Sequence, residues 1–270
     1  MPTLGDRYEL RRLALRRWLL GRHPALLWAG RRYPEPEIAL LALFARKDAI
    51  TVDVGASYGM WTFHARRYSR AVVAFEPQPA FAHALRRGFA RSRTPVEVHQ
   101  TALSAAAGRV TMTLPPLQPG YSTIEPANHL NGKVSTAYGW QELEVETRTL
   151  DSFALDDVAF VKVDAEGHEE SVLVGARDTL RRCRPALAVE TEERHKPGSV
   201  EGVSTLLADL GYHRLFVHDG VLHAGEEFSL AVHQDPERPD RYVRNLIFLH
   251  DRDLARLRAA PSLPFARSGV

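Results

Sequence analysis

The chain has 270 residues, 44% hydrophobic and 25% charged, with mean hydropathy −0.26. No apolar run approaches the roughly 18 residues that a membrane span needs, so the composition is that of a globular domain large enough to bury about three quarters of its unfolded surface. The single cysteine, Cys183, excludes an internal disulfide or a thiolate metal cluster, and the net charge of +2 conceals an uneven distribution.

Arg7, Arg11, Arg12, Arg16, Arg17, Arg22, Arg31 and Arg32 face only Asp6 and Glu9 within residues 1–32, a strongly basic start. Tyr8 to Leu20 is predicted as a helix with a solvated arginine face, and Ile38 to Ala45 as a second helix. His23-Pro24 and Pro34-Glu35-Pro36 break the chain between them. Residues 1–45 are therefore expected to be a helical extension packed on the domain, covering a sheet edge or a cofactor mouth and carrying nothing catalytic. Such an arm could touch nucleic acid or an anionic membrane, but the solvated face is the preferred reading. Its leucines and Trp18 gather on no clean stripe, so neither nucleic acid nor membrane is expected as a partner. The first residues lack an uninterrupted apolar core, and the expected location is cytoplasmic.

Thr51 to Pro77 is the stretch around which the chain is organised. It reads strand, Asp53-Val54-Gly55-Ala56-Ser57-Tyr58-Gly59, about three helical turns, then a strand Ala71 to Phe75 ending on Glu76-Pro77. This is a nucleotide-cofactor half-site, with glycines for a tight turn and close ligand approach, and an acid at the next strand tip to hold ribose hydroxyls. A dinucleotide fingerprint would place glycine where Asp53 stands, because a pyrophosphate must be cradled there. A carboxylate repels phosphate and suits a cationic ligand end, such as the ammonium and sulfonium of S-adenosylmethionine. Asp53, Gly55, Ala56, Ser57, Gly59, Glu76 and Pro77 are accordingly the expected cofactor loop.

Helix Ala80 to Ala90 and strand Val96 to His99 follow, placing Ala102 and Leu103 beside the adenine. Arg109 to Leu114 and Glu142 to Leu150 alternate like antiparallel strands. The Pro/Gly-rich insertion between them, Pro115 to Gly139, is expected to be a lid or substrate wall. Strand Val158 to Val163, helix Ser171 to Arg182, strand Ala186 to Val189, helix Val200 to Leu210, strand Arg214 to His218, a hairpin-like Asp219-Gly220 and a last strand Asn245 to His250 complete the series. Residues 46–254 are thus expected to form the catalytic domain and 255–270 a flexible tail.

The second polar cluster sits at a strand end. Lys162 is one of four lysines against 31 arginines, embedded in an apolar strand, and so needs a carboxylate partner. Asp164 shares its strand face, with Glu166 and His168 within reach from the loop. Asp164 and Glu166 are the candidate general bases, with His168 and His195 as alternatives. Glu169 and Glu170 are read as helix N-terminal charges. Asp164, Glu166, Glu190 and a histidine could in principle hold magnesium or calcium, but no recognisable ligand spacing supports a metal, and none is expected.

These residues carry a resemblance. TVDVGASYGMWTF, AFEPQP, VHQTALSAAAGRVTMTL, VETRTLDSF and FVKVDAEGHEESVLVGARDTLRRCRPALAVE, with LGYHRLF later, are together similar to the FkbM-type family of S-adenosylmethionine-dependent methyltransferases over roughly Ile50 to His250. The resemblance implies an α/β class I (Rossmann-like) methyltransferase fold: a seven-stranded, mostly parallel sheet with helices on both faces and the last strand antiparallel. It also implies methyl transfer, usually to a hydroxyl of a sugar or natural-product small molecule. Asp53, Gly55, Gly59 and Glu76 then hold the cofactor, and Lys162, Asp164, Glu166 and Gly167 form the family's second block. Ser57 departs from the family's usual asparagine. An RNA methyltransferase using the arginine-rich arm and a non-catalytic S-adenosylmethionine-binding protein stay open as alternatives.

Overall fold

In a computed structural model, which describes residues 4–28, 35–115, 117–126, 128, 139–259 and 266–267, the architecture is α/β. The strands of the main sheet are short runs rich in β-branched and apolar residues: β1 (Ile50–Val54), β2 (Ala71–Phe75), β3 (Val96–His99), β7 (Val158–Val163), β8 (Ala186–Glu190), β9 (Tyr212–His218) and β11 (Asn245–His250). All six residues of β7 and the first four of β8 are buried, as expected of strands covered on both faces. The order runs β3-β2-β1-β7-β8-β11-β9, with β11 antiparallel to both neighbours and the others parallel.

This is the expected seven-stranded arrangement, but the sheet itself has nine strands. Asp219 and Gly220 both adopt positive φ (49° and 73°), which turns β9 back into the antiparallel strand β10 (Val221–Ala224), and β12 (Ala266–Arg267) pairs with β10 beyond it. Helices α4 (Met60–Ala65), α5 (Pro79–Phe89), α6 (Glu169–Val174), α7 (Arg177–Cys183) and α8 (Ser199–Ala208) connect the parallel strands. A small second sheet joins β4 (Ala102–Leu103), β5 (Gly108–Leu114) and β6 (Gln141–Arg148), confirming the antiparallel pair expected on either side of the insertion.

At the start of the chain, α1 (Leu4–Arg22) and α2 (Pro24–Trp28) lie against the domain through buried Leu20, Leu27 and Trp28, which share a core cluster with Leu85 and Phe89 of α5. Two expected elements differ. The helix expected over Ile38 to Ala45 is a 3-10 turn, Pro36–Leu40, running into a single α turn, α3 (Leu41–Phe44). The helix expected over Ser171 to Arg182 breaks into α6 and α7 because Gly175 sits under the Ser104 carbonyl, where a Cβ would come within 2.1 Å of that oxygen. Beyond β11 and the short helix α9 (Leu230–His233), helix α10 (Asp251–Ala259) runs through the start of the stretch expected to be a tail. Buried Leu254 and Leu257 dock it on the core cluster beneath α3.

Gly175→Ala is expected to cost about 1–3 kcal/mol of stability in urea unfolding, through the clash with the Ser104 backbone, whereas Gly120→Ala, with open space at its Cβ, changes little.

Candidate active site

The carboxyl ends of β1, β2 and β7 open into a cavity of about 240 Å³. It is walled by the loop after β1, the tip of β2, the residues around β4 and the loop after β7. Asp53, Gly55, Ala56, Ser57, Glu76, Pro77 and Ala102 all line it, together with Lys162, Asp164 and Glu166, so most of the residues read from sequence converge here. Among the described residues, the lining carries Glu35, Asp53, Glu76, Asp164 and Glu166 against a single cation, Lys162.

The glycines work differently from expectation. Gly55 (φ 76°) packs its bare Cα against the end of β7, where a Cβ would fall 1.9 Å from the Asp164 carbonyl oxygen. Gly59 (φ 72°) is the left-handed residue preceding α4, and a Cβ there would meet Leu85 at 2.6 Å. Both are required by protein packing as well as by the turn. Glu76 is 2% exposed and accepts backbone N–H bonds from Ser57 and Gln78, each at 2.8 Å, one to each carboxylate oxygen. It therefore ties the loop to the strand tip while facing the cavity, and burial pushes its carboxyl up to about 7. Asp53 accepts from the Thr62 amide (2.8 Å) and hydroxyl (2.6 Å) through Oδ2, holding the first turn of α4, and burial raises it to about 6.

Lys162 lies at the centre of a polar knot. The Lys162 ammonium donates to the Val163 carbonyl (3.1 Å) and to Asn245 Oδ1 (2.9 Å), with Asp164 Oδ2 and Glu190 Oε2 at 3.7 and 3.8 Å. Asp164 is the partner expected from sequence; Asn245 and Glu190 complete the set. Sheet register explains the meeting. Val163 pairs with Val189, which sets Asp164 beside Glu190, and Asn245 opens the antiparallel strand directly opposite Glu190. Burial works against the ammonium, but Asp164, Glu190, Glu35 and Asp53 outweigh it and hold Lys162 charged. Asp164 is raised well above the usual carboxylate range by burial and then by Glu190, with Lys162 opposing.

Glu35 was not singled out by the sequence reading. It accepts from the Trp61 indole (2.8 Å) and from Asn245 Nδ2 (3.2 Å), so the N-terminal extension reaches the cavity instead of merely covering it. The Trp28 indole of the same extension donates to the Tyr58 carbonyl at 3.0 Å. A proline-flanked glutamate in a basic stretch carries no local signal of such a role. The described part of the insertion is a wall: Pro119, Gly120, Ser122 and Ile124 line the cavity, and Thr123 Oγ1 and Asn128 Nδ2 each donate to the Glu166 carbonyl at 2.7 Å. Residues 129–138 of the insertion, like Arg31 and Arg32, lie outside the described residues.

The structure does not bring His168 to the cavity lining. Its Nε2 meets Ser104 Oγ at 2.9 Å and its Nδ1 meets Glu125 at 3.3 Å, pinning the loop to its neighbours, and burial lowers its pKa. His195 lies behind Glu166, with Nδ1 3.3 Å from Glu166 Oε2, and burial lowers it to about 4. Glu169 and Glu170 stand in the first turn of α6 as expected, and Glu169 also accepts the amides of Ala165 (3.0 Å) and Gly167 (2.9 Å), tying down the loop before the helix.

The lining fits a ligand with a cationic end: its acids oppose a pyrophosphate, and Glu76 keeps lone pairs free for hydroxyls. Sheet order, the antiparallel strand and the cavity at the parallel strand ends together define the class I methyltransferase fold. A family model, Methyltransferase FkbM domain, matches residues 53–214, and the chain belongs to that family. Among curated relatives, Methyltransferase 1 of Beauveria bassiana is 30% identical over 148 residues, 48% of this chain and 59% of that protein. Methyltransferase sdnD of Sordaria araneosa is 28% identical over 207 residues, 66% of this chain and 78% of its own. A crystal structure of Methyltransferase FkbM from Methylobacillus flagellatus shares the fold with TM-score 0.52 and 20% identity, over 79% of this chain and 50% of that one. The chain thus spans less than two thirds of the Beauveria protein and half of the Methylobacillus one.

Lys162→Met leaves several buried carboxylates without their counter-charge, and is expected to cost about 3–5 kcal/mol in denaturant unfolding at pH 7. The penalty shrinks as pH falls, because the stranded carboxyls take up protons in the folded state.

Proposed function

We propose that the protein is an S-adenosylmethionine-dependent O-methyltransferase acting on a hydroxyl of a sugar-like or natural-product small molecule. The observation that carries this reading is the acidic cavity at the β1, β2 and β7 ends, where Glu76 stands at the tip of β2 and Asp164 lies beside buried Lys162. When bound, S-adenosylmethionine supplies a methyl group activated by its sulfonium charge. Asp53 and Glu76 hold the cofactor's cationic end and its ribose. Ala102 and Leu103 pack along the adenine. Asp164 accepts the proton of the acceptor hydroxyl, and Lys162 fixes the Asp164 carboxylate in place. The wall from Pro119 to Ile124 limits water and sets the room left for the acceptor. By confining acceptor and cofactor together, this space would supply much of the remaining acceleration. Among the described residues no helix is long and apolar enough to cross a bilayer.

Calorimetric titration tests the cofactor. Glu76→Ala, if folded by circular dichroism, is expected to lose about 100-fold or more in S-adenosylmethionine affinity, since two hydrogen bonds to a charged group are worth about 1.5–3 kcal/mol each. Asp164→Asn is expected to slow turnover about 10²–10⁴-fold while weakening cofactor binding far less. Unchanged turnover would remove Asp164 from the proton-accepting role.

Affinity for the cofactor should also rise with pH. Free Asp53 and Glu76 titrate at about 6 and about 7, and the cationic cofactor favours their ionised forms, so binding releases protons and tightens between about pH 5 and 8. S-adenosylhomocysteine, which lacks the sulfonium charge, should show a smaller rise. The competing reading, an RNA acceptor, is favoured by the exposed Arg11, Arg12, Arg17 and Arg22 of α1; RNA affinity that did not fall with salt would remove it.

A further inference from the structure

A second opening lies at the other end of the sheet layer. Helices α4 and α5 leave the carboxyl ends of β1 and β2 and return to the amino ends of β2 and β3. Where they finish, a groove of about 430 Å³ lies between them and the junction of α1 with α2. Gly88 makes that junction tight: a Cβ there would fall 2.0 Å from the Leu20 carbonyl oxygen, so α1 and α5 meet backbone to backbone beside the groove.

The charged lining has one sign. Arg22 at the end of α1, Arg66 at the end of α4 and Arg91 just after α5 all border the groove, with His23 beside them and no carboxylate. Among the described residues none of the three guanidinium groups has an oxygen partner; Arg66 lies over the Phe63 ring at 4.3 Å and Arg22 over the Trp18 ring at 5.1 Å. A ring contact places a guanidinium without consuming an acceptor, so its donors stay available. Independently of the charges, Arg66 Nε and Ser92 Oγ, both from residues of the lining, are shut off from solvent with no hydrogen-bond partner. The groove is thus walled by donors for which the chain supplies no acceptor. A cation near a helix carboxyl end answers the exposed carbonyls there, which accounts for one arginine per helix. It does not account for the sum, since three helix ends bring about half a negative charge each against three full positive charges. Burial, and then the neighbouring Arg67, lower the proton affinity of Arg66, a pressure that a bound anion reverses.

We propose that this groove is a binding site for a phosphate monoester. Such a group carries about 1.5–2 negative charges at pH 7 and three acceptor oxygens, which suits planar forks brought from three helices. The volume falls within the roughly 300–1,000 Å³ of small-molecule sites and leaves room beyond the phosphate. Pro24 and Leu26 border that room, so the ester group carried there is apolar. A soluble phosphate ester and the headgroup of an anionic lipid share this chemistry. The site is separate from the cavity at the strand carboxyl ends and does not depend on the methyltransferase reading. Helix α2 joins the two: it begins at Pro24 in the groove and ends at Trp28, which lines the cavity and donates to the Tyr58 carbonyl.

The full chain, in phosphate-free buffer of low ionic strength, is titrated calorimetrically with glycerol 3-phosphate and with inorganic phosphate. It is also sedimented with phosphatidylcholine vesicles, with and without phosphatidic acid. The expected result is one phosphate-ester site per chain, with affinity reduced about 10-fold or more in Arg66→Gln and in Arg91→Gln, one charge-assisted contact each. Arg91 is exposed, so its variant tests the site even if Arg66→Gln fails to fold, and a thermal melt checks both. Arg11→Gln/Arg17→Gln on α1, outside the groove, is expected to keep the wild-type affinity. Binding confined to the phosphatidic acid vesicles, with the same loss in the groove variants, supports the site and assigns its ester to a lipid; binding of glycerol 3-phosphate assigns it to a soluble ligand. Inorganic phosphate bound as tightly as the ester removes the monoester. Absence of binding to every phosphate probe at millimolar concentration overturns the site. So does binding that the folded groove variants retain, or that the α1 variant lowers as much, since a diffuse basic surface then explains it.

Discussion

The burial of one ammonium group governs this structure. Lys162 is 1% exposed in the middle of the sheet, and a charge so placed is tolerated only if the surrounding backbone delivers acceptors to it from several directions. Three neighbouring strands do so at once. β7 gives Lys162 itself and the Val163 carbonyl, β8 ends on Glu190, and β11 begins on Asn245. Because β11 runs against its neighbours, its first residue lies at their carboxyl ends; a parallel strand in that slot would place its last residue there instead. The reversed strand β11 thus supplies a neutral acceptor to the cation without adding another carboxylate to an already acidic region.

The same arrangement couples structure to chemistry. Of the groups around Lys162, Asp164, Glu35 and Asp53 also line the cavity, so the interactions that hold the β7, β8 and β11 ends together also fix the position of Asp164. Gly55 lets the two ends meet closely: its bare Cα lies against the Asp164 carbonyl, and the Asp164 N–H donates to the Val54 carbonyl at 3.1 Å, joining the end of β1 to the loop after β7. Glu76 bonds the loop after β1 in turn to the tip of β2. The cavity floor is therefore one connected piece of backbone, and its wall, from Pro119 to Ile124, is tied to β5 by the two-way Thr113–Thr123 backbone pair, to the Glu166 carbonyl by Thr123 Oγ1, and to α5 by Gln78 Nε2 on the Pro119 carbonyl at 3.2 Å.

What was legible in the sequence is what the chain writes locally. The run from Asp53 to Glu76 is a single β-α-β passage; Asp53, Gly55 and Glu76 reach the cavity as read, while Gly59 packs against Leu85 instead. Lys162 stood out because a lone lysine in an apolar strand must find partners, and Asp164 two residues on was the nearest. The remainder depended on distance in sequence: Asn245 is 83 residues from Lys162, and Glu35 is 210 from Asn245, so neither carries a local mark. The helix from Ser171 onward looked continuous because nothing around Gly175 betrays that the Ser104 carbonyl will press on it. His168 looked like a base because it followed two acids at a strand end; packing turned its ring toward Ser104 and Glu125.

Glu35 bears on what counts as the unit here. The stretch that matches the family model runs from 53 to 214, and both Glu35 and Asn245, the residues linked across the Lys162 pocket, lie outside it. The shared stretch contains the buried cation but only part of what keeps it buried. Relatives that keep the stretch while differing at either flank must solve the same electrostatic problem with other side chains, and each solution reshapes the wall beside Trp61. Divergence at the ends of such chains is thus a route by which the floor of the cavity can be retuned without touching the residues by which the family is known.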